Sequence, residues 1–284
     1  MKFSKSWLKY LTDFRGEKVL KQALHMFRLH AVPFSTLLEN MFNVLEPYQA
    51  KYTFPVVASV ALEKPELTKS ILRRGHEVAV HGFKHVNYSY ITERQQDHDI
   101  GYAVDAFKAL DIPVSGFRAP YNVYTEGTPK LVEKHGFLWD IGIGYNPKYR
   151  TGNSLFRVQI DDHDSSFFCV PLNRWSDDYM TDIRGFSVNQ MKETLKRVIT
   201  GASEKGGVVM FDLHPIRIGQ PKYVNVLNTI VKYGTELNGW FPTVTEAVNY
   251  LSKHGKWKND ARFCCLLTGD IDNFSFFDYL QRLF

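Results

Sequence analysis

No run of five or more lysines and arginines occurs in the 284 residues, and the net charge is only +5. A dense basic patch is thereby excluded, and no nucleic-acid partner is expected. Cysteine is scarce: Cys169, Cys264 and Cys265 stand at no spacing that makes a zinc knuckle. The adjacent Cys264 and Cys265 alternate faces in a strand and are poorly placed to bond each other. Reduced, buried thiols and a reducing compartment are therefore expected. Long apolar runs are lacking too, none approaching the roughly 20 residues that span a bilayer. Residues 1–14 have neither the apolar core nor the small-residue cleavage site of a secretory leader. The expected location is the cytoplasm. Internal repeats and low-complexity linkers are absent, so 1–284 is read as one domain.

What is present is ordinary in bulk and patterned in detail. An apolar fraction of 44% with 23% charged residues suits a soluble globular chain. Aromatics are high at 14%, which suits a sugar-binding cleft, though most aromatics fill cores. Residues 1–34 are read as a helical N-terminal extension. Within it Phe3, Trp7, Leu8, Leu11 and Phe14 recur at helical spacing, with Lys2, Lys5 and Lys9 between them. Such a helix either packs on the domain or lies on a membrane surface as a peripheral contact at the inner face.

Further on, strand patterns at 52–60, 77–81, 114–117, 138–143, 167–172, 207–213 and 263–268 alternate with helical patterns. The helical patterns fall at 37–48, 65–74, 92–110, 128–135, 189–200, 224–233 and 244–254, and 146–166 is irregular. Strands alternating with helices imply a parallel sheet with crossover connections.

Three motifs sit at predicted strand ends. His81 and His85, in His-Gly-Phe-Lys-His, are spaced to share one divalent ion. Alone they read equally as hydrogen-bonded surface histidines. Arg118-Ala119-Pro120-Tyr121 is a proline-fixed turn behind a short strand. Leu213-His214-Pro215 ends an unbroken apolar strand. Asp212 is read as facing away from His214, and His76, in Arg73-Arg74-Gly75-His76-Glu77, as structural.

In this order the motifs resemble the polysaccharide deacetylases of the NodB-homology family, carbohydrate esterase family four, over about residues 35–251. The resemblance implies a distorted (β/α) barrel and a metal-dependent hydrolase. It makes His81 and His85 metal ligands. Arg118 becomes the holder of a catalytic aspartate through a charge-assisted fork. Tyr121 offers its backbone N–H to the oxyanion and lines the substrate site, and His214 is the general acid. The stretch 168–178, Phe-Cys-Val-Pro-Leu-Asn-Arg-Trp-Ser-Asp-Asp, resembles one in which a tryptophan and an aspartate line the site. Trp175 is then a wall of the acyl pocket. Asp178 or its neighbour Asp177 orients His214, with Asp140 as a rival.

One part is missing from its usual place. The family opens on a strand ending in an aspartate pair, whereas residues 26–34, Met-Phe-Arg-Leu-His-Ala-Val-Pro-Phe, carry no carboxylate. The apolar strand Phe263 to Thr268, followed by Gly-Asp-Ile-Asp, resembles that motif at the other end of the chain. Residues 263–272 are accordingly read as a circularly permuted first strand, placing Asp270 and Asp272 on one side by the two-residue period of a strand. Asp272 becomes the third ligand and Asp270 the general base. Other readings of the pair are a calcium or nucleotide-sugar site, or the beginning of a truncated second domain.

The expected function is removal of an N-acetyl group from an amino sugar or its glycan, polymeric or lipid-linked, with one divalent ion, zinc foremost. The alternatives are a small-molecule amidase of the allantoinase-like branch and a non-catalytic glycan-binding protein that keeps the fold.

Overall fold

The computed structural model describes residues 19–143 and 152–281. The predicted amphipathic helix of residues 1–14 lies outside them. Ten strands are described: β1 (Thr53–Val56), β2 (Glu77–Val80), β3 (Gly116–Phe117), β4 (Trp139–Asp140), β5 (Gln159–Ile160), β6 (His163–Asp164), β7 (Phe168–Cys169), β8 (Val208–Asp212), β9 (Gly239–Trp240) and β10 (Phe263–Thr268). Eleven α-helices surround them: α1 (Val19–Leu29), α2 (Phe34–Leu45), α3 (Ala58–Glu63), α4 (Pro65–Arg73), α5 (Glu93–Ala109), α6 (Thr128–Lys134), α7 (Val188–Lys205), α8 (Pro215–Ile218), α9 (Val224–Glu236), α10 (Val244–His254) and α11 (Phe276–Gln281).

Seven strands form a parallel sheet in the order β7-β4-β3-β2-β1-β10-β8, and β9 pairs with the first residues of β10. The sheet is a curled half-barrel of the expected (β/α) class. β5 and β6 form a separate antiparallel pair within the stretch expected to be irregular.

Alternation sorts each strand between two apolar layers. Val78, Val80, Phe117, Val209, Phe211, Cys265 and Leu267 join the larger cluster with the helices. Ala79, Trp139, Val208, Met210, Cys264 and Leu266 face the smaller cluster, which α10 completes with Val244, Ala247 and Val248. Cys264 and Cys265 thus enter different layers, and all three cysteines are free and buried. α2 buries Leu37, Leu38, Met41, Phe42 and Leu45 at helical spacing. Reciprocal capping boxes begin α5 at Thr92–Gln95, α7 at Ser187–Gln190 and α10 at Thr243–Glu246.

One expectation changes. The strand predicted over 52–60 ends at Val56, and its apolar continuation is α3, because short apolar runs do not distinguish a buried strand from a helix. The last strand in the chain, β10, is central in the sheet, between β1 and β8.

Candidate active site

The C-terminal ends of β1, β2, β3, β8 and β10 converge, as parallel barrel strands do where sites are built. β10 continues past Thr268 through one further residue. Ile271 forms a parallel bridge with Val56: its N–H donates to Pro55 O (2.8 Å), and its carbonyl accepts from Val57 N–H (3.1 Å). The Ile271 side chain is buried in the outer core. That anchoring leaves Asp270 and Asp272, one residue to either side, on the opposite face. Gly269 is required by crowding: a Cβ there would lie 2.1 Å from the carbonyl oxygen of Leu213.

His81, His85 and Asp272 meet. Asp272 Oδ1 is 3.3 Å from His85 Nε2 and 3.5 Å from His81 Nε2, and Asp270 Oδ2 is 3.3 Å from His81 Nε2. His81 Nδ1 lies 2.8 Å from Arg118 O. A carbonyl only accepts, so Nδ1 is the donor, and in the neutral ring Nε2 carries the lone pair. That lone pair is fully buried, has no hydrogen-bond partner and points at two carboxylate oxygens. A cation resolves the repulsion. Ligand bonds of about 2.0–2.2 Å set tetrahedral ligand atoms roughly 3.3–3.6 Å apart, so the spacing also suits a small divalent ion. The carbonyl on Nδ1 is the usual device for aiming a ligating imidazole.

The loop between the histidines is held by a residue the sequence did not single out. Asp99 on α5 accepts the N–H groups of Phe83 (3.1 Å) and Lys84 (3.0 Å) and the hydroxyl of Tyr88 (3.1 Å). Gly82 has φ +74°, and a Cβ there would meet Asp99 Oδ2 at 2.6 Å.

Arg118 is buried at the centre. It touches Asp270 through one contact, Nη1 to Oδ1 at 2.5 Å. The fork expected on Asp270 falls on Asp212 instead, with Nη1 to Oδ1 at 2.9 Å and Nη2 to Oδ2 at 2.6 Å, while Nε donates to Asn122 Oδ1 (2.8 Å). Asp212 therefore belongs to the site, contrary to the sequence reading. It precedes His214 by two residues, and a two-residue period puts both on one side.

His214 Nδ1 bonds to Asp177 Oδ1 at 2.6 Å, so the orienting carboxylate is Asp177. Asp178 instead accepts from Ser176 Oγ (2.5 Å) and Tyr179 N–H (2.8 Å). Asp140 is also occupied elsewhere, by Tyr124 Oη and the N–H groups of Gly142 and Ile143. The other ring nitrogen, His214 Nε2, faces Asp270 Oδ2 at 3.7 Å. Behind Asp177, Arg217 of α8 lies 3.4 Å from its Oδ2 and 2.8 Å from Asp182.

The charges are set in opposition. Burial alone raises Asp270, but the Arg118 guanidinium against it outweighs burial and holds the carboxyl well below its ordinary range. Burial lowers His214, but the carboxylates of Asp177 and Asp212 outweigh it and hold the imidazole well above 6.5. Burial raises Asp212 against the pull of Arg118. The result is an ionised carboxylate facing a protonated imidazole, the pairing that a base and an acid require.

Tyr121 adopts left-handed backbone (φ 60°, ψ 10°), and its ring centroid is 4.1 Å from that of His85, so it borders the ligand cluster. Trp175 stacks on Phe186 (centroids 5.8 Å) and packs beside Tyr179, on the segment that delivers Asp177.

Residues 30–138 match the family model for polysaccharide deacetylase. The chain is 33% identical over 98 residues to a peptidoglycan deacetylase of Helicobacter pylori, covering 33% of each chain. It is 29% identical over 122 residues to chitin deacetylase 1 of Cryptococcus neoformans var. grubii, covering 43% of this chain and 25% of that one. It is 27% identical over 89 residues to a chitooligosaccharide deacetylase of Sinorhizobium fredii, covering 31% and 41%. The chain thus spans between a quarter and about two fifths of the length of these family relatives. The fold extends further than the sequence likeness. A probable polysaccharide deacetylase from Pseudomonas aeruginosa PAO1 superposes with TM-score 0.70 at 18% identity, covering 86% of this chain and 80% of the other. The Puue allantoinase superposes with TM-score 0.69 at 18% identity, covering 85% and 80%.

Proposed function

We propose that the protein is a metal-dependent hydrolase that removes the N-acetyl group of an amino sugar within a glycan. The observation that carries the reading is the convergence of His81, His85 and Asp272 beside two charge pairs, Arg118–Asp270 and Asp177–His214. His81, His85 and Asp272 hold the ion, zinc being the first choice for two imidazoles and a carboxylate. Bound there, the ion supplies Lewis acidity toward the acetyl carbonyl and makes water a better nucleophile.

The chain's own groups do the rest. Asp270, kept ionised by Arg118, accepts the proton of the attacking water. The Tyr121 N–H donates to the oxygen on which negative charge develops. His214, kept protonated by Asp177, gives its proton to the departing nitrogen. Arg118 fixes Asp270 in place while Asp212 neutralises the remainder of the guanidinium. Trp175 is assigned to the wall of the acyl pocket.

The same proposal gives β10 the sheet position of the family's opening strand. Its place between β1 and β8 supports this, as does the contact of α1 with α11, where the rings of Phe27 and Phe276 lie 5.5 Å apart.

The test is metal content, measured beside deacetylation of chitooligosaccharide, for the parent protein and Asp272→Ala. About one divalent ion per chain, lost together with activity in the variant, is the expected result. An ion retained in Asp272→Ala refutes the ligand assignment. An ion-loaded parent that releases no acetate from chitooligosaccharide but hydrolyses allantoin moves the assignment to a small-molecule amidase.

A further inference from the structure

A cavity of about 980 Å³ opens at the other end of the sheet, lined by the segments that lead into β1 and β2 and by β9 and α10. From His76, in its wall, to His81 at the active site is five residues of mostly extended chain, or about 16 Å. The reaction proposed above uses none of its residues.

Its lining combines two kinds of chemistry. Trp240 and Tyr250, both partly exposed, line the cavity with ring centroids 5.4 Å apart. Rings presented in this way suit the apolar face of a pyranose. Cations share the lining: Lys51, Arg73, Arg74, Lys253 and Lys258. Two carboxylates share the cavity. Glu246 is committed to capping α10 through the Thr243 N–H (2.9 Å), and Glu46 lies 3.9 Å from Arg74. Arg73 and Arg74 also bond to Glu66 and Glu39, each at 3.2 Å. Lys51 has no ion pair among the described residues. Its ammonium lies 2.7 Å from where a Cβ on Gly75 would sit, at the turn leading to His76.

His76 is the second, independent observation. It lines the cavity, is only 8% exposed, and is stacked on Phe42 with centroids 4.7 Å apart. Its Nδ1 is fully buried and has no hydrogen-bond partner. Burial, reinforced by Lys51 and Arg74, pushes its pKa down to about 3, so it stays a neutral ring. A neutral imidazole beside a lysine is suited to bonding an oxygen-rich anion.

The geometry points to a second binding site, at the N-terminal end of the barrel strands, for an acidic saccharide. A sugar ring stacks on Trp240 and Tyr250 while its carboxylate engages Lys51 beside the His76 imidazole. The site holds a charged stretch of glycan away from the reacting atoms and takes no part in the chemistry.

The probe is trigalacturonic acid, titrated calorimetrically into the full chain at low salt, with N,N′,N″-triacetylchitotriose and inorganic phosphate as comparisons. The assignment predicts saturable binding of the acidic trisaccharide, weakened at least tenfold by Lys51→Ala and by Tyr250→Ala. Melting temperature and active-site metal content should be unchanged in both variants. Failure of trigalacturonic acid to bind overturns the proposal. Binding unaffected by Tyr250→Ala, or phosphate bound as tightly as the trisaccharide, also overturns it, because the cavity is then an anion site without sugar recognition. Because binding and metal content are read directly, failure here is distinct from failure of the deacetylase reading.

Discussion

At the scale of single residues, the site works by giving each ionisable group a fixed neighbour. Asp270 is held low, so Asp270→Asn should retain the ion but lose turnover by roughly a thousandfold. Metal analysis beside a rate measurement separates the two effects. His214 is held high by its carboxylate neighbours, so kcat/KM should fall on the alkaline side as the imidazole loses its proton, at a pH well above 6.5. Asp177→Asn removes the largest favourable cause and should move that limb to lower pH, which a merely structural loss would not do. His76 makes a prediction about stability. Its folded pKa of about 3 lies below the ordinary 6.5, so between those values the unfolded chain binds a proton that the folded chain does not. Its contribution is therefore complete above pH 6.5 and is lost as the pH falls toward 3. His76→Phe, which can keep the stack on Phe42, should flatten the fall in urea midpoint over that window.

At the scale of elements, legibility followed the strength of the local pattern. His81 and His85 flank a tight loop at a strand end, and Asp270 and Asp272 share a strand face by the two-residue period, so their meeting was readable in the sequence. Asp212 was readable by the same period, and setting it aside was an error of alternation. Asp177 and Asp178 are adjacent, and no period distinguishes which reaches His214. That is decided by the turn at residues 176–179, where Asp178 is diverted to the Ser176 hydroxyl and the Tyr179 N–H. Asp99 and Asn122 act on loops far from or behind their own motifs, and nothing local marks them. Two-residue strands such as β9 exist only through their partner and carry no pattern of their own. The close passage of β10 over the end of β8 also makes a prediction. Gly269→Ala would drive a methyl group into the Leu213 carbonyl, destabilising the fold by about 1–3 kcal/mol and displacing Asp270. Thermal unfolding together with metal affinity measures both consequences, and a variant unchanged in either would show that the strand end yields.

At the scale of the whole molecule, the sheet reads its strands in space rather than in chain order. If β10 occupies the opening-strand position, chain order can be altered without altering the site. Joining Phe284 to Met1 through a short flexible linker, and opening the chain in the turn after α10, should give a protein that binds one ion with the same three ligands. Loss of the ion, with the fold retained by circular dichroism, would count against that equivalence. Conversely, removing residues 263–284 takes out a central strand and both aspartates, and should abolish cooperative unfolding as well as metal binding.

The central position of β10 also shapes the order of events during synthesis. β1 is made early and one of its two sheet neighbours is made last. At about 5–20 residues per second, the edge that β10 will cover stays bare on the order of ten seconds or more while the intervening chain is produced. An unpaired edge flanked by apolar side chains is a template for pairing with other nascent chains. The protein therefore completes its sheet and its Arg118–Asp270 pair in one late step, and its yield in a cell should depend on how quickly the tail arrives.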